Sequence, residues 1–135
     1  MTAEKLHRFT VLGERVDIDT DAIDATPEEI QAQLDEYTRG ERTTFDLPIE
    51  YPDTFTGRVM RAMSAIPYGE TRTYGELAAE LDTAAVAVGG GCGRNTVPII
   101  VPCHRVVAAD GSLRGYSGHG GLDQKRDLLQ HEGAK

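Results

Sequence analysis

"TYGELAAELDTAAVAVGGGCGRN", residues 73–95, sets two short helical segments on either side of a tight turn. In the first, Thr73 and Glu76 have the spacing of a capping box, and Leu77 and Leu81 fall on one face. The second runs into Gly89, Gly90, Gly91 and Gly93, each of which costs about 1 kcal/mol against alanine in a helix interior. Two readings stand. Either the glycines make a loop, or they make a helix whose bare surface lets another backbone come close. On the second reading, residues 73–95 are a helix-turn-helix, a pair of helices that can enter a DNA groove.

Upstream, the spacing of Phe55, Val59, Met63 and Ile66 predicts a helix from Thr54 that closes at Pro67-Tyr68-Gly69. The two prolines of "TTFDLPIEYPD", residues 43–53, predict an extended linker. Before it, "TPEEIQAQLDEY", residues 26–37, is a helix with Thr26 as N-cap, Pro27 at the first position and Glu29 closing the box. "HRFTVLGERVDID", residues 7–19, predicts a strand pair turning at Gly13-Glu14. The fold class expected is α/β (α+β). Residues 1–53 form a reduced front segment with its linker, and 54–135 a mainly helical unit.

A chain of 135 residues is one domain, or one with a small appendage, and can bury a core without staples. Its two cysteines stand in unrelated contexts with no C-x-x-C, which argues against a disulfide scaffold and a zinc site and for a reducing compartment. No apolar run is long enough to cross a bilayer and none follows a basic start, so a soluble cytoplasmic protein is expected.

The formal charge is −8, but it is unevenly spread. Residues 1–55 hold fourteen acids and five bases, and residues 56–135 hold eight acids and nine bases. From Thr83 through Ala109 there is no carboxylate, while Arg94, His104 and Arg105 lie inside that stretch, so a polyanion could approach it. The front acidity is expected to face solvent, away from such a partner. Eleven Arg against three Lys, with Asp equal to Glu, resembles the composition of proteins from salt-rich cytoplasm.

"VPIIVPCHRVV", residues 97–107, sets Cys103 after a proline and before His104. A basic neighbour is the usual means of making a thiolate, although adjacent residues of an extended chain point apart, so a bridging water is required. On the pair alone, nucleophile and buried structural cysteine are equally supported. Cys92, among its glycines, reads as a small buried hydrophobe.

Three blocks, "IPYGETRTYGELA" (66–78), "GRNTVPIIVPCHRVVAADGSLRGYSG" (93–118) and "KRDLLQHEG" (125–133), resemble the methylated-DNA-protein-cysteine methyltransferases, the O6-alkylguanine-DNA alkyltransferases, over about residues 40–135. The resemblance implies a monomeric, single-turnover repair protein for double-stranded DNA carrying O6-alkylguanine. A winged helix-turn-helix over residues 54–135 would enter the minor groove, the damaged base would flip out, and its alkyl group would move to Cys103. No cofactor, metal or membrane is implied.

By position, His104 would be the base acting through a water, Glu132 its orienting carboxylate, Asn95 the brace of the turn, and Tyr74 the group beside the flipped base. Tyr116 and Ser117 would line the pocket, and the carbonyls of Cys103 and Val106 would read the guanine amino group. Gly89, Gly90, Gly91, Arg94 and Arg105 would meet DNA, with His119 and His131 left as surface residues. Val86 stands where the family carries an arginine that enters the duplex, and "YSGHGGL" (116–122) is two residues longer than the usual form. The alternatives to transfer are a damage-recognition module, a thiol protein that no longer holds DNA, and a cysteine hydrolase.

Overall fold

The computed structural model describes residues 6–113 and 121–134. It opens with an antiparallel hairpin, β1 (Leu6–Val11) and β2 (Glu14–Asp19), in which Phe9 pairs with Val16 and Val11 with Glu14. The turn lies at Leu12-Gly13, one residue earlier than the sequence suggests. Both residues have positive φ, 53° and 77°, as a type I′ turn requires. Glycine takes this conformation freely. Leu12 is held there by its N–H, which donates to Thr38 Oγ1 at 3.2 Å.

The hairpin's inner side chains, Phe9, Val11, Val16 and Ile18, are buried with Ile30, Leu34 and Tyr37 of α1 (Pro27–Thr38). Thr26 and Glu29 close the capping box from both sides, at 3.1 and 2.8 Å. The linker is not loose. Ile49 bridges Ile23, and Asp24 and Glu50 exchange backbone bonds with Pro48 and Ala22. Its end is clamped at Gly57, where any Cβ would overlap the Pro52 carbonyl oxygen.

Next come α2 (Phe55–Ser64), the short β3 (Arg72–Thr73), α3 (Tyr74–Leu81), α4 (Ala85–Gly93), β4 (Val106–Val107) and α5 (Gly121–His131). β3 and β4 pair in parallel, tying the start of α3 to the end of the Cys-His segment. Thr73 and Glu76 form the second capping box, and Asp82, at φ 55°, ends α3 in a left-handed cap that Asp tolerates better than most residues. One hydrophobic cluster contains Phe9, Val16 and Leu34 of the front segment and Val59, Val88 and Val101 of the rest.

Residues 85–93 are helical despite their glycines, and the reason is packing. A Cβ on Gly91 would stand 2.7 Å from Val59 Cγ2, so the bare backbone is what lets α4 lie against α2. Cys92 Sγ reaches Met63 Sδ of α2 at 3.4 Å. Gly89 has open space around its Cα and Gly90 meets only the Arg94 side chain, so the two faces of the glycine run do different things.

The same substitution therefore has opposite signs at two positions only two residues apart in sequence. Gly91→Ala is expected to destabilise the fold by about 1–3 kcal/mol through overpacking. Gly89→Ala should stabilise it by about 0.5–1 kcal/mol through helix propensity. Urea unfolding midpoints of the two variants, set against the parent, check both signs.

Candidate active site

The loop that carries Cys103 is held by one buried side chain. Asn95 donates from Nδ2 to the Val101 carbonyl and accepts the Val97 N–H at Oδ1, both at 3.0 Å, so it closes the turn 95–101. The turn contains Ile99 at φ 74°, an unfavourable conformation for a β-branched residue that is sustained only by such bracing. Pro102 follows at φ −80° and ψ 67°, and the Cys103 N–H donates to the Val101 carbonyl at 2.8 Å. These are the marks of an inverse γ-turn, set by the proline ring.

Cys103–Arg105 then form one turn of 3₁₀ helix, not the extended chain expected from sequence. At three residues per turn, Cys103, His104 and Arg105 fan out in three directions. All three are buried. Val106 follows them into β4, also fully buried.

His104 points at Glu132, just beyond the end of α5. Its Nε2 lies 2.7 Å from Glu132 Oε2, and neither side chain has any solvent exposure. Arg105 grips the same carboxylate as a fork, Nε to Oε1 at 2.9 Å and Nη2 to Oε2 at 3.0 Å, while its Nη1 donates to the Ile66 carbonyl at 2.7 Å. Tyr37 Oη donates to Oε2 at 2.6 Å, and the Gly69 N–H approaches Oε1 at 3.4 Å.

Burial by itself would raise the Glu132 pKa. The hydrogen bonds and charges of His104 and Arg105 outweigh it and hold the carboxyl well below the usual range, so Glu132 is ionised. An ionised carboxylate accepts, which puts the imidazole proton on Nε2. Nδ1 is then the basic nitrogen, buried and with no hydrogen-bond partner among the described residues. Burial, assisted by the positive charges of Arg105 and Lys125, keeps the His104 pKa below its ordinary value against the opposing pull of Glu132, so the ring is neutral at neutral pH.

The structure corrects three expectations. Arg105 is a buried structural cation engaged at three of its nitrogens, so a phosphate cannot reach it. Gly91 is likewise removed from any DNA face by Val59. His131 is half-buried, not on the surface: its Nε2 lies 2.7 Å from the Tyr37 carbonyl oxygen.

Val86, at 84% exposure, is the most exposed large apolar side chain among the described residues and stands at the start of α4 with Gly89 and Gly90 one turn on. Arg94 is exposed at the end of α4, its Nε donating to Thr56 Oγ1 at 2.8 Å. It shares a cleft of about 980 Å³ with Asp17, Asp19, Asp21, Glu50 and Asp53. The front acidity is thus not all turned away from α4, because β2 is tied beside its end by the Asp19 N–H on the Thr96 carbonyl. Tyr116, Ser117 and His119 lie outside the described residues.

Two residues of the site escape the sequence reading. Tyr37 is one. The other is Lys125, wholly buried, with Nζ 5.8 Å from the centroid of the Tyr74 ring. Burial lowers its pKa, while the neighbouring thiols of Cys103 and Cys92 favour its charge. Its spacing with Leu128, Leu129 and Glu132 puts it on the buried face of α5, and a lysine in that register was the available signal. The thiol of Cys92, by contrast, is pushed up to about 12 by burial, with the nearby Cys103 adding to the shift, and has no nucleophilic form at neutral pH.

The sequence profile of the 6-O-methylguanine DNA methyltransferase DNA-binding domain matches residues 54–134. The chain belongs to the 6-O-methylguanine DNA methyltransferase family. A methylated-DNA–protein-cysteine methyltransferase of Mycolicibacterium paratuberculosis is 50% identical over 103 residues, 74% of this chain. The chain spans about three fifths of that relative's length, 61%.

Among solved structures, Mycobacterium tuberculosis OGT in complex with DNA superposes with a TM-score of 0.82 at 35% identity, covering 95% of this chain and 92% of that one. The fold of this methyltransferase-family chain is therefore that of OGT, front segment included. A more distant likeness, TM-score 0.54 at 31% identity over 62% of this chain and 80% of the other, is to S. pombe Atl1 bound to damaged DNA containing O6-carboxymethylguanine.

The buried imidazole makes stability depend on pH with a definite sign. Between the lowered pKa of folded His104 and about 6.5, the unfolded chain binds a proton that the folded one does not, so stability falls as pH drops below about 6.5. His104→Asn, which does not titrate, should show a flatter dependence between about pH 5 and 7. Urea midpoints across that range measure it.

Proposed function

We propose that the chain repairs DNA by moving the alkyl group of O6-alkylguanine, the methyl of O6-methylguanine in particular, irreversibly onto Cys103, once per molecule. The observation that carries this reading is the buried relay. An ionised Glu132 holds the proton of His104 at Nε2 and leaves Nδ1 basic, one residue from a thiol fixed by the Pro102 turn.

In the step itself, the Cys103 proton passes through a water to His104 Nδ1, and the imidazolium that forms is stabilised by Glu132. The thiolate attacks the alkyl carbon in line. The S–C bond forms as the C–O6 bond breaks, and the electron pair leaves with the guanine. Tyr74, at the first position of α3, donates a proton to the departing base and regains one from solvent. The product is a thioether with no leaving-group path back, so the protein turns over once. Lys125 beneath the Tyr74 ring adds positive charge on the side of the forming thiolate.

Recognition is assigned to α3 and α4 as a winged helix-turn-helix in the minor groove of double-stranded DNA. Gly89 and Gly90 allow close approach of the backbone, and Val86 is an apolar wedge for the base step vacated by flipping. Flipping costs a few kcal/mol, less at a damaged pair. Arg94 is the phosphate contact that remains once Arg105 is assigned to the relay. Tyr116 and Ser117 keep their pocket roles from the family resemblance, as do the carbonyls of Cys103 and Val106. Two reduced thiols fit a cytoplasmic setting, and the acidic, arginine-rich composition a salt-rich one.

Val86 is also the observation that favours a second reading, a module that recognises alkylated DNA without efficient transfer. Incubation with an oligonucleotide duplex carrying O6-methylguanine separates the two. Transfer adds about 14 Da, one methyl in place of one proton, to the parent and nothing to Cys103→Ala. A shifted duplex with no gain in mass would leave the recognition module. Val86→Arg should tighten binding at low salt and steepen the dependence of log K on log salt by about 0.9 if the new cation meets one phosphate. Fluorescence anisotropy of labelled duplex over a salt series reads that slope.

A further inference from the structure

Tyr37 belongs to α1, outside the matched residues 54–134, and no step above uses it. Its side chain is wholly buried and held on every side. The rings of Phe45, Tyr68 and His131 lie 5.6, 6.1 and 5.0 Å from its own, and His131 Nε2 bonds its carbonyl oxygen. What this clamp delivers is a hydroxyl 2.6 Å from Glu132 Oε2, the oxygen that also meets His104 Nε2 at 2.7 Å and Arg105 Nη2 at 3.0 Å.

We propose that Tyr37 is a positioning residue of the relay, and that its hydroxyl sets how strongly Glu132 Oε2 binds His104 and, through His104, how readily Cys103 gives up its proton. Three donors compete for one carboxylate oxygen that offers about two lone-pair directions. The phenol makes the shortest of the three bonds, so it draws charge that the imidazole would otherwise command. The ring cannot turn without displacing Tyr68 and His131, so the hydroxyl stays on Oε2. The front helix is thereby a part of the proton relay, not only a cover over the catalytic unit.

Among the described residues, the charged and titratable groups around this point are few. Glu132, Arg105, Tyr68 and His131 face Tyr37, and Glu132, Arg105 and Lys125 act on His104. Removing the phenol leaves Arg105 in place, so Glu132 stays ionised. It then gives His104 a larger share of its charge, which stabilises the imidazolium and raises its pKa. The sign is opposite to what simple loosening of the core would produce, since exchange of a carboxylate bond for water weakens the pull on His104.

The inference rests on the alkyl-transfer reading for its effect on repair, and on His104 alone for its test. In the full chain, Tyr37→Phe is examined by ¹⁵N shifts of the His104 ring nitrogens over pH, and by the pH profile of Cys103 carboxamidomethylation with iodoacetamide, read as intact mass. The acid limb of the profile should move up by about 0.5 unit, so that at a fixed pH on that limb the rate is about threefold lower relative to the variant's own plateau. Replacing the tyrosines with 3-fluorotyrosine, a stronger donor, should move the His104 shifts in the opposite sense and keeps the test open if Tyr37→Phe does not fold.

A variant that loses stability while its His104 shifts and thiol profile coincide with the parent's would make Tyr37 a core residue only and overturn the proposal. So would fluorotyrosine protein with unmoved His104 shifts. If the parent takes no methyl from the damaged duplex, the repair reading fails by itself, and these two readouts still decide the role of Tyr37.

Discussion

The structure depends on one buried negative charge. A carboxylate taken out of water costs several kcal/mol even after relaxation, and that cost is met only where hydrogen bonds and an opposite charge fill its lone pairs. Glu132 obtains them from α1, from the turn after α2, and from two consecutive residues of the Cys-His-Arg turn. The donors lie up to 95 residues away in sequence, so the carboxylate is satisfied only when the whole chain has closed around it. Assembly of the fold and assembly of the relay are therefore one event. Arg105 balances the charge of Glu132, and burial, assisted by Arg105, leaves His104 neutral.

A second constraint acts on α4. The helix must lie close enough to α2 for Gly91 to touch Val59, and it must present an outward face without bulk at Gly89 and Gly90. Both demands are met by glycine, at the cost of helix propensity, and the lost propensity is made good by burial of Val88 and Cys92 against the rest of the core. The same segment thus serves internal packing on one side and external approach on the other.

Local chemistry was readable from the sequence, and long-range chemistry was not. Both capping boxes stand where the Thr-x-x-Glu spacing put them, and α2 and α3 bury the faces their periodicity predicts. The hairpin turn moved by one residue because a type I′ turn needs two positive φ values and the chain placed Leu12 at the unfavourable one. Arg105 was misread because a cation in a stretch without carboxylates resembles a phosphate ligand, while its partner stands 27 residues downstream. Tyr37 gave no signal for the same reason. Lys125 did give one, a cation in the buried register of α5, but only burial makes that register meaningful. The Cys103-His104 pair stood out from its own residues, while Glu132 was named from motif resemblance, and spacing alone could not have joined His104 to Glu132.

The bridge from α1 to Glu132 also bears on how such a protein divides its work. Everything proposed to find and hold a damaged base lies after the linker, yet one wall of the chamber that would prime the thiol is supplied from before it. A chain reduced to the later part would still carry thiol, imidazole and carboxylate, but water would fill the place of Tyr37 beside Glu132. The shorter form would keep those groups and lose part of the dry interior around them.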